Sequence, residues 1–315
     1  MRILEGFEGL RKLPAGMVLS IGNFDGIHLG HQAIFQKAFS YSKSTGATGF
    51  GVVTFEPHPL TVLRPEMVPP RLTLANQKEE IFRQFGVTDL VILSPTSEVL
   101  NCTAEQFWAM LRHEVKPTHL VEGNAFTFGK ARGGDISRLR EWSKNTPVKL
   151  DVIEPLSVVL RDKQVVEVSS SLVRWLVSYG RMRDTEICLG RPYTLEGKVI
   201  KGNQRGRTIG VPTANLYCPI QMIPADGVYG GFTSVNGIKY PTAISIGTLP
   251  TFGDNQRQIE AHLIGFTGDL YDQTIRVSIT NWIRDQRKFQ SIDALKEQLS
   301  RDIAEAADLQ TTGKI

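Results

Sequence analysis

The sequence predicts two domains of different class: an α/β domain on a parallel sheet, then a small antiparallel β-barrel with a C-terminal helix. Three observations predict this. At 315 residues the chain exceeds one average domain. Its first half alternates strand-like and helix-like segments, the pattern of a parallel sheet covered on both faces. After Leu189-Gly-Arg-Pro-Tyr193, strands follow one another with turn signals between them and no helical period. The texture changes within 183–190, which gives domains 1–186 and 187–315.

In the first domain, short apolar runs read as strands at Met17–Ile21, Thr48–Thr54, Leu90–Leu93, His119–Glu122 and Lys149–Ile153. Helical periodicity covers His31–Ser42, Asn76–Phe85, Ala104–Glu114 and Ser170–Ser178, the last opened by the capping residues Ser169-Ser-Ser. In the second, Asn236-Gly237 between two apolar runs predicts a tight hairpin. Tyr193–Ile200, Ala243–Gly247, Gln258–Phe266 and Thr274–Trp282 read as further strands. Ile292–Ala304, opened by Ser291, is an amphipathic helix.

Composition narrows the class of protein. With 41% hydrophobic and 22% charged residues the chain can bury a core without disulfide or metal staples. Cys102, Cys188 and Cys218 are odd in number and far apart, which predicts free thiols in a reducing cytoplasm. The segment MRILEGFEGLRKL lacks the apolar core of a signal peptide, and no apolar run approaches membrane-span length. A net charge of +4 suits anionic small molecules. No basic stripe with interleaved aromatics is present, so nucleic acid is not expected as a partner. Homo-oligomers are compatible with the sequence.

The first chemical signal is Ile21-Gly-Asn-Phe-Asp-Gly-Ile-His-Leu-Gly-His31, where a strand hands over to a helix. Ligands of open α/β sheets bind there, and a helix N-terminus favours negative charge. Gly30 would let a phosphate come close to the backbone, and His28 and His31 would donate to its oxygens as charge develops. This predicts nucleotidyl transfer from a nucleoside triphosphate. Three more segments accompany it. Thr54-Phe-Glu-Pro-His-Pro59 presents His58 between prolines. Gly123-Asn-Ala-Phe-Thr-Phe-Gly129 places Phe126 and Phe128 between glycines, as a slot for a flat ring or as core plugs. Ser170, Ser171 and Arg174 offer hydroxyls and a cationic fork at a helix start.

The second signal is Gly202-Asn-Gln-Arg-Gly-Arg-Thr-Ile-Gly210 followed by Pro212-Thr-Ala-Asn215. Backbone amides of such a glycine-spaced loop can surround phosphates, although it is no Walker loop. Thr213 and Asn215 are hard oxygen donors suited to Mg²⁺. In Gln258–Ile264, alternation sends Ile259, Ala261 and Leu263 to the core and Glu260 and His262 to the other face. There Glu260 could take the proton of an attacking hydroxyl.

The H-x-G-H string in its strand-to-helix setting resembles the nucleotidyltransferase superfamily, whose domain is Rossmann-like. The fuller G-N-F-D-G-I-H-L-G-H is similar to prokaryotic FMN adenylyltransferases. G-x-x-x-G-R-x-x-G-x-P-T-A-N, G-V-Y, S-I-G-T-x-P-T-F, E-x-H-L and D-L-Y resemble the riboflavin kinase module. Essentially the whole chain thus resembles the bifunctional riboflavin kinase/FMN adenylyltransferase family, or FAD synthetases. The resemblance implies ATP-dependent conversion of riboflavin to FMN and of FMN to FAD, with Mg²⁺ as cofactor. It implies that His28 and His31 hold ATP phosphates beside Gly22, Asn23, Phe24 and Gly30. Ser170, Ser171 and Arg174 match the family's S-S-T/S-x-I-R. His58, Asn124, Phe126 and Phe128 fall on the flavin side. In the kinase it implies a phosphate loop of Gly202, Gly206, Arg207 and Gly210, coordination of MgATP by Thr213 and Asn215, and Glu260 as general base.

Two positions depart from the pattern. Ala125 stands where the family carries Asp or Asn before the first phenylalanine of G-x-(D/N)-F-x-F-G, and Gly265 where it often carries Asp. Ala125 motivates an alternative, a riboflavin kinase with a weakened adenylyltransferase. A flavin-binding regulatory protein without turnover, and a nucleotidyltransferase with another acceptor, are the remaining readings.

Overall fold

The structure, a computed structural model, describes residues 1–202, 206, 210–248 and 257–311. The chain forms two compact units. The first comprises Met1–Pro69, Thr73–Ser157 and Glu167–Ser170; the second comprises Pro70–Leu72, Val158–Val166 and Ser171–Ile315.

The first unit holds a six-stranded, all-parallel sheet in the order β1-β4-β3-β2-β5-β6. Its strands are β1 (Arg2–Glu5), β2 (Val18–Ile21), β3 (Phe50–Phe55), β4 (Asp89–Leu93), β5 (His119–Gly123) and β6 (Lys149–Ile153). Adjacent residues of the central strands feed opposite faces, which is why these strands read as unbroken apolar runs. Leu19, Val53, Val91 and Leu120 join one core with Phe7 and Leu10 of α1 (Gly6–Arg11) and Phe107 and Trp108 of α4 (Ala104–Met110). Val18, Val52, Leu90 and Val121 join the other with Phe35 and Ala38 of α2 (Leu29–Ser44) and Phe82 of α3 (Ala75–Gln84). Helices therefore cover both faces, as the alternation predicts.

Among the differences from expectation, two concern the first unit's early and central elements. β1 and α1 precede the first expected strand, and β1 gains its place by pairing with β4, far along the chain. The helix expected over Ala104–Glu114 is α-helical only to Met110. Leu111–Val115 widen into a π-helical turn that ends at left-handed Lys116.

The second unit contains α6 (from Ser171 of Ser170–Ser178), α7 (Met182–Leu189) and a closed six-stranded barrel; α5 (Ile136–Ser143) belongs to the first. The barrel strands are β7 (Tyr193–Ile200), β8 (Ala214–Tyr217), β9 (Gly227–Val235), β10 (Ile238–Thr248), β11 (Arg257–Leu263) and β12 (Thr274–Arg284). All pairs are antiparallel, in the order β7-β8-β11-β10-β9-β12. Asn236 and Gly237 make the β9–β10 turn with φ of +50° and +79°, the left-handed pair a two-residue hairpin needs. α8 (Ile292–Thr311) starts at Ser291, whose hydroxyl accepts the Ala294 amide, and packs on β9, β10 and β12. Asp302 on α8 is buried and paired with Arg284 of β12 at 2.8 Å, tying helix to barrel.

Candidate active sites

In the first unit the strand order reverses between β2 and β5, the position where open α/β sheets bind ligands at the carboxyl ends of their strands. β2 pairs with β3 as far as Ile21↔Val53, but with β5 only through Val18↔His119 and Leu19↔Leu120. Beyond that point the Ile21 amide donates to Oε1 of Glu122 on β5 at 2.9 Å.

The loop after β2 is tightly specified. Phe24, Gly26 and Ile27 all have positive φ, +47°, +84° and +39°. For phenylalanine and isoleucine this costs on the order of 1–3 kcal/mol each and needs support from outside the loop. Phe24 is buried, edge-on to His31, Phe35 and Phe82. The Asp25 carboxylate accepts the Thr73 amide at 3.0 Å, and the Asp25 carbonyl accepts the Ser170 hydroxyl at 2.7 Å. The Gln32 amide group donates to the Ile27 carbonyl at 2.9 Å.

The loop delivers two imidazoles to the start of α2. His28 is the N-cap residue, extended at φ −72° and ψ 170°, and His31 lies one turn on. Their rings stack with centroids 3.7 Å apart. A Cβ on Gly30 would stand 3.1 Å from His28 Cε1 and 3.2 Å from its Nδ1. On the side where a Cβ would stand, the close approach at Gly30 is made by His28 itself. His58 joins this site, its Nε2 3.3 Å from the Asn23 side chain and its Nδ1 accepting the Leu60 amide.

The remaining expected residues divide. Phe128 is buried among Phe107 and Trp142, a core plug, with Phe126 stacked on it at 5.4 Å and less buried. The exposed Asn124 reaches Glu154 at 3.3 Å, and Ala125 is exposed beside it. Ser170 is bonded to the histidine loop, whereas Ser171 and Arg174 belong to the second unit, where Arg174 Nε donates to the Pro70 carbonyl.

In the second unit, the segment leaving β7 faces the start of β8. A Cβ on Gly202 would fall 2.4–2.6 Å from the Asn215 amide group, and one on Gly206 would fall 2.3 Å from the Val211 carbonyl and 3.4 Å from Thr213 Oγ1. These glycines leave the room that Asn215 and Thr213 occupy. Asn215 stands directly opposite Glu260 across the β8–β11 ladder, and Ser245 flanks Glu260 on the other side. Ile259, Ala261 and Leu263 are buried while Glu260 and His262 are half-buried, as alternation predicts. His262 Nδ1 lies 2.7 Å from the Pro212 carbonyl, fixing the turn that carries Thr213. Gly210 is left-handed at φ +85°. Arg207, expected in the phosphate loop, lies outside the described residues.

The oxygen donors of Thr213 and Asn215 fit a hard divalent cation, and both are uncharged, so the anionic charge such an ion needs would come from phosphates. Cys188 and Cys218 are poor nucleophiles: burial pushes the Cys188 thiol up to about 11 and that of Cys218 up to about 12. Sequence patterns do not single out Glu122 or Asp25, which the fold places at the site. Glu122 leaves a signal all the same, a carboxylate inside the apolar strand His119–Gly123. Asp25 lies inside the G-N-F-D-G-I-H-L-G-H string, but the string does not reveal its contacts, half of which are made by its backbone carbonyl.

Comparison with known proteins gives each half of the chain a family. The FAD synthetase family model matches residues 10–171 and the riboflavin kinase family model matches residues 189–310. A bifunctional riboflavin kinase/FMN adenylyltransferase from Pseudomonas fluorescens is 32% identical over 98% of both chains. Its namesake from Bacillus subtilis is 33% identical over 94% of this chain and 93% of that one. A solved structure described as a macrolide-efflux protein from Streptococcus pneumoniae superposes with a TM-score of 0.86 at 27% identity, covering 98% of this chain and 99% of that one. Efflux is a description of that protein alone; among the described residues here, no helix is long and apolar enough to cross a membrane. With both family models matched in order and relatives alike from end to end, the chain belongs to the bifunctional riboflavin kinase/FMN adenylyltransferase family.

Proposed function

We propose that this protein phosphorylates riboflavin to FMN within residues 187–315 and adenylylates FMN to FAD within residues 1–186, using ATP for both. The observation that carries the reading is the coexistence of two built sites, the His28–His31 stack at the head of α2 and the Asn215–Glu260 pair beside Gly202.

In the kinase step Glu260 takes the proton of a ribityl hydroxyl as that oxygen attacks the γ-phosphorus of ATP. The bond from γ-phosphorus to the bridging oxygen breaks and ADP leaves. Thr213 and Asn215 would hold Mg²⁺, which when bound neutralises charge on the phosphates. Gly202, Gly206, Arg207 and Gly210 are proposed around those phosphates.

In the adenylyl step an FMN phosphate oxygen attacks the α-phosphorus of ATP, and pyrophosphate departs with the bridging oxygen. His28 and His31 hydrogen-bond the phosphate oxygens as charge builds, helped by the α2 N-terminus. Gly22, Asn23, Phe24 and Gly30 shape that end of the site, with Ser170 as a further phosphate contact. Ser170 acts there while anchoring Asp25. His58, Asn124 and Phe126 are assigned to the flavin; Phe128 supports Phe126 from the core. Three free cysteines support a cytoplasmic location.

A second reading, a kinase with a weakened adenylyltransferase, is favoured by one observation. Ala125 brings no polar group, and the neighbouring Asn124 side chain is turned to Glu154. Incubation of purified protein with ATP and Mg²⁺, supplied separately with riboflavin and with FMN, tests both. FAD from both flavins supports two working sites. FMN accumulating from riboflavin, with no FAD from either, selects the second reading.

A further inference from the structure

We propose that Glu122 is a positioning residue for adenylyl transfer, its side chain replacing a missing rung of the sheet and so setting where Ile21 and the histidine loop stand. The inference rests on the adenylyltransferase reading above.

Each backbone amide of an interior strand must find an acceptor. The β2–β5 ladder stops at Leu19↔Leu120, although β2–β3 continues to Ile21↔Val53 and β5–β6 to Gly123↔Ile153. Both strands thus remain ordered on their outer sides and part only from each other. The Ile21 amide, aimed into that parting, is satisfied by Glu122 Oε1 at 2.9 Å. The next amide, Gly22, turns the other way and donates to the Val53 carbonyl at 2.9 Å. The last peptide of β2 is consequently pinned on one side by backbone and on the other by a side chain. A glutamate arm bridges a gap that backbone pairing has left, so the crevice can open without an orphaned amide.

The conformation of the loop beyond Gly22 makes this placement matter. Within six residues the chain passes through Phe24, Gly26 and Ile27 at positive φ and reaches the stacked His28. So constrained a loop transmits a displacement at its root to the imidazoles. Burial also drives the Glu122 carboxyl toward its neutral form, which lessens the negative charge beside a phosphate site. A misplacement of about 1 Å can cost on the order of 100-fold in rate.

The test compares E122Q, E122L and E122D in the full chain. FAD formation from FMN (kcat and KM), FMN formation from riboflavin, thermal melting and hydrogen exchange at the Ile21 amide are measured on each. Gln keeps the acceptor and is expected to hold kcat within about twofold of the parent. Leu fills the same volume without an acceptor. It is expected to fold, to lose at least tenfold in adenylyl-transfer kcat, to leave the kinase unchanged and to lose protection at Ile21. A folded E122L with parental adenylyl-transfer kcat overturns the proposal, because Glu122 would then be core filling only. If E122L does not fold, E122D decides: the shortened arm lowers kcat if the rung matters, and parental kcat overturns it. A parental protein that makes no FAD from FMN faults the functional reading instead. Exchange at Ile21 then still decides whether Glu122 is the rung, and unchanged protection in E122L would refute it.

Discussion

The imidazole of His28 occupies the space that a side chain on residue 30 would need, so Gly30 and His28 are a single steric unit. Gly30→Ala brings a methyl to 3.1–3.2 Å from the ring and forces it off the His31 stack by a few tenths of an ångström. Alanine is also the better helix former by about 1 kcal/mol, and residue 30 lies in the first turn of α2. The two effects separate stability from activity. We expect G30A to melt at or above the parent while FAD formation from FMN falls about tenfold or more. Kinase turnover in the same preparation should be unchanged. Parallel melting and activity measurements check this, and a proportional loss of both would show that the glycine serves folding instead.

The two chemical steps should be separable by substitution. Glu260→Gln removes the proton acceptor while keeping shape opposite Asn215, and should lower FMN formation by about 10²–10⁴-fold. FAD formation from supplied FMN should survive. His28→Ala should do the reverse. Chromatographic separation of flavins after single-substrate incubations checks both variants, and loss of both activities in folded E260Q would refute the assignment of steps.

Gly202 should be intolerant of any side chain. A Cβ there overlaps the Asn215 amide group at 2.4–2.6 Å, so one of the two must move. Gly202→Ala is therefore expected to raise the KM for MgATP in the kinase assay and to lower kcat, in the manner of Asn215→Ala. Combining the two should cost little more than either alone, because both disturb one interaction. Additive losses would mean that Gly202 acts independently of Asn215.

Local chemistry made much of this molecule legible. Lys149–Ile153 and Tyr193–Ile200 fall where the apolar patterns place them, and the Asn236-Gly237 turn follows from two residues that accept positive φ. The opposite faces of Glu260 and Ile259 follow from the strand period. Features set by partners distant in sequence were not legible. β1 is a strand because β4 is its neighbour, and Glu122 looks like an error in an apolar run until Ile21, 101 residues away, is placed beside it. Phe126 and Phe128 carry the same residue type two positions apart; only the packing of Phe107 and Trp142 around Phe128 tells them apart.

Glu122 also predicts how stability depends on pH. Burial raises its carboxyl well above the usual carboxylate range in the folded protein, outweighing the Ile21 hydrogen bond that favours the charged form. The folded state therefore holds this proton more tightly than the unfolded chain. The associated stability is fully present below about pH 4.5, where both states are protonated. It is lost as pH rises toward the folded-state value, because only the unfolded chain releases the proton freely. For one proton the slope is at most about 1.4 kcal/mol per pH unit. Glu122→Gln mimics the neutral acid at every pH and removes this slope. The parent and E122Q should thus melt alike at acidic pH, with the variant gaining on the parent as pH rises. Melting curves across that range check the sign: an E122Q advantage that shrinks with rising pH would mean that Glu122 is ionised and paired in the folded protein.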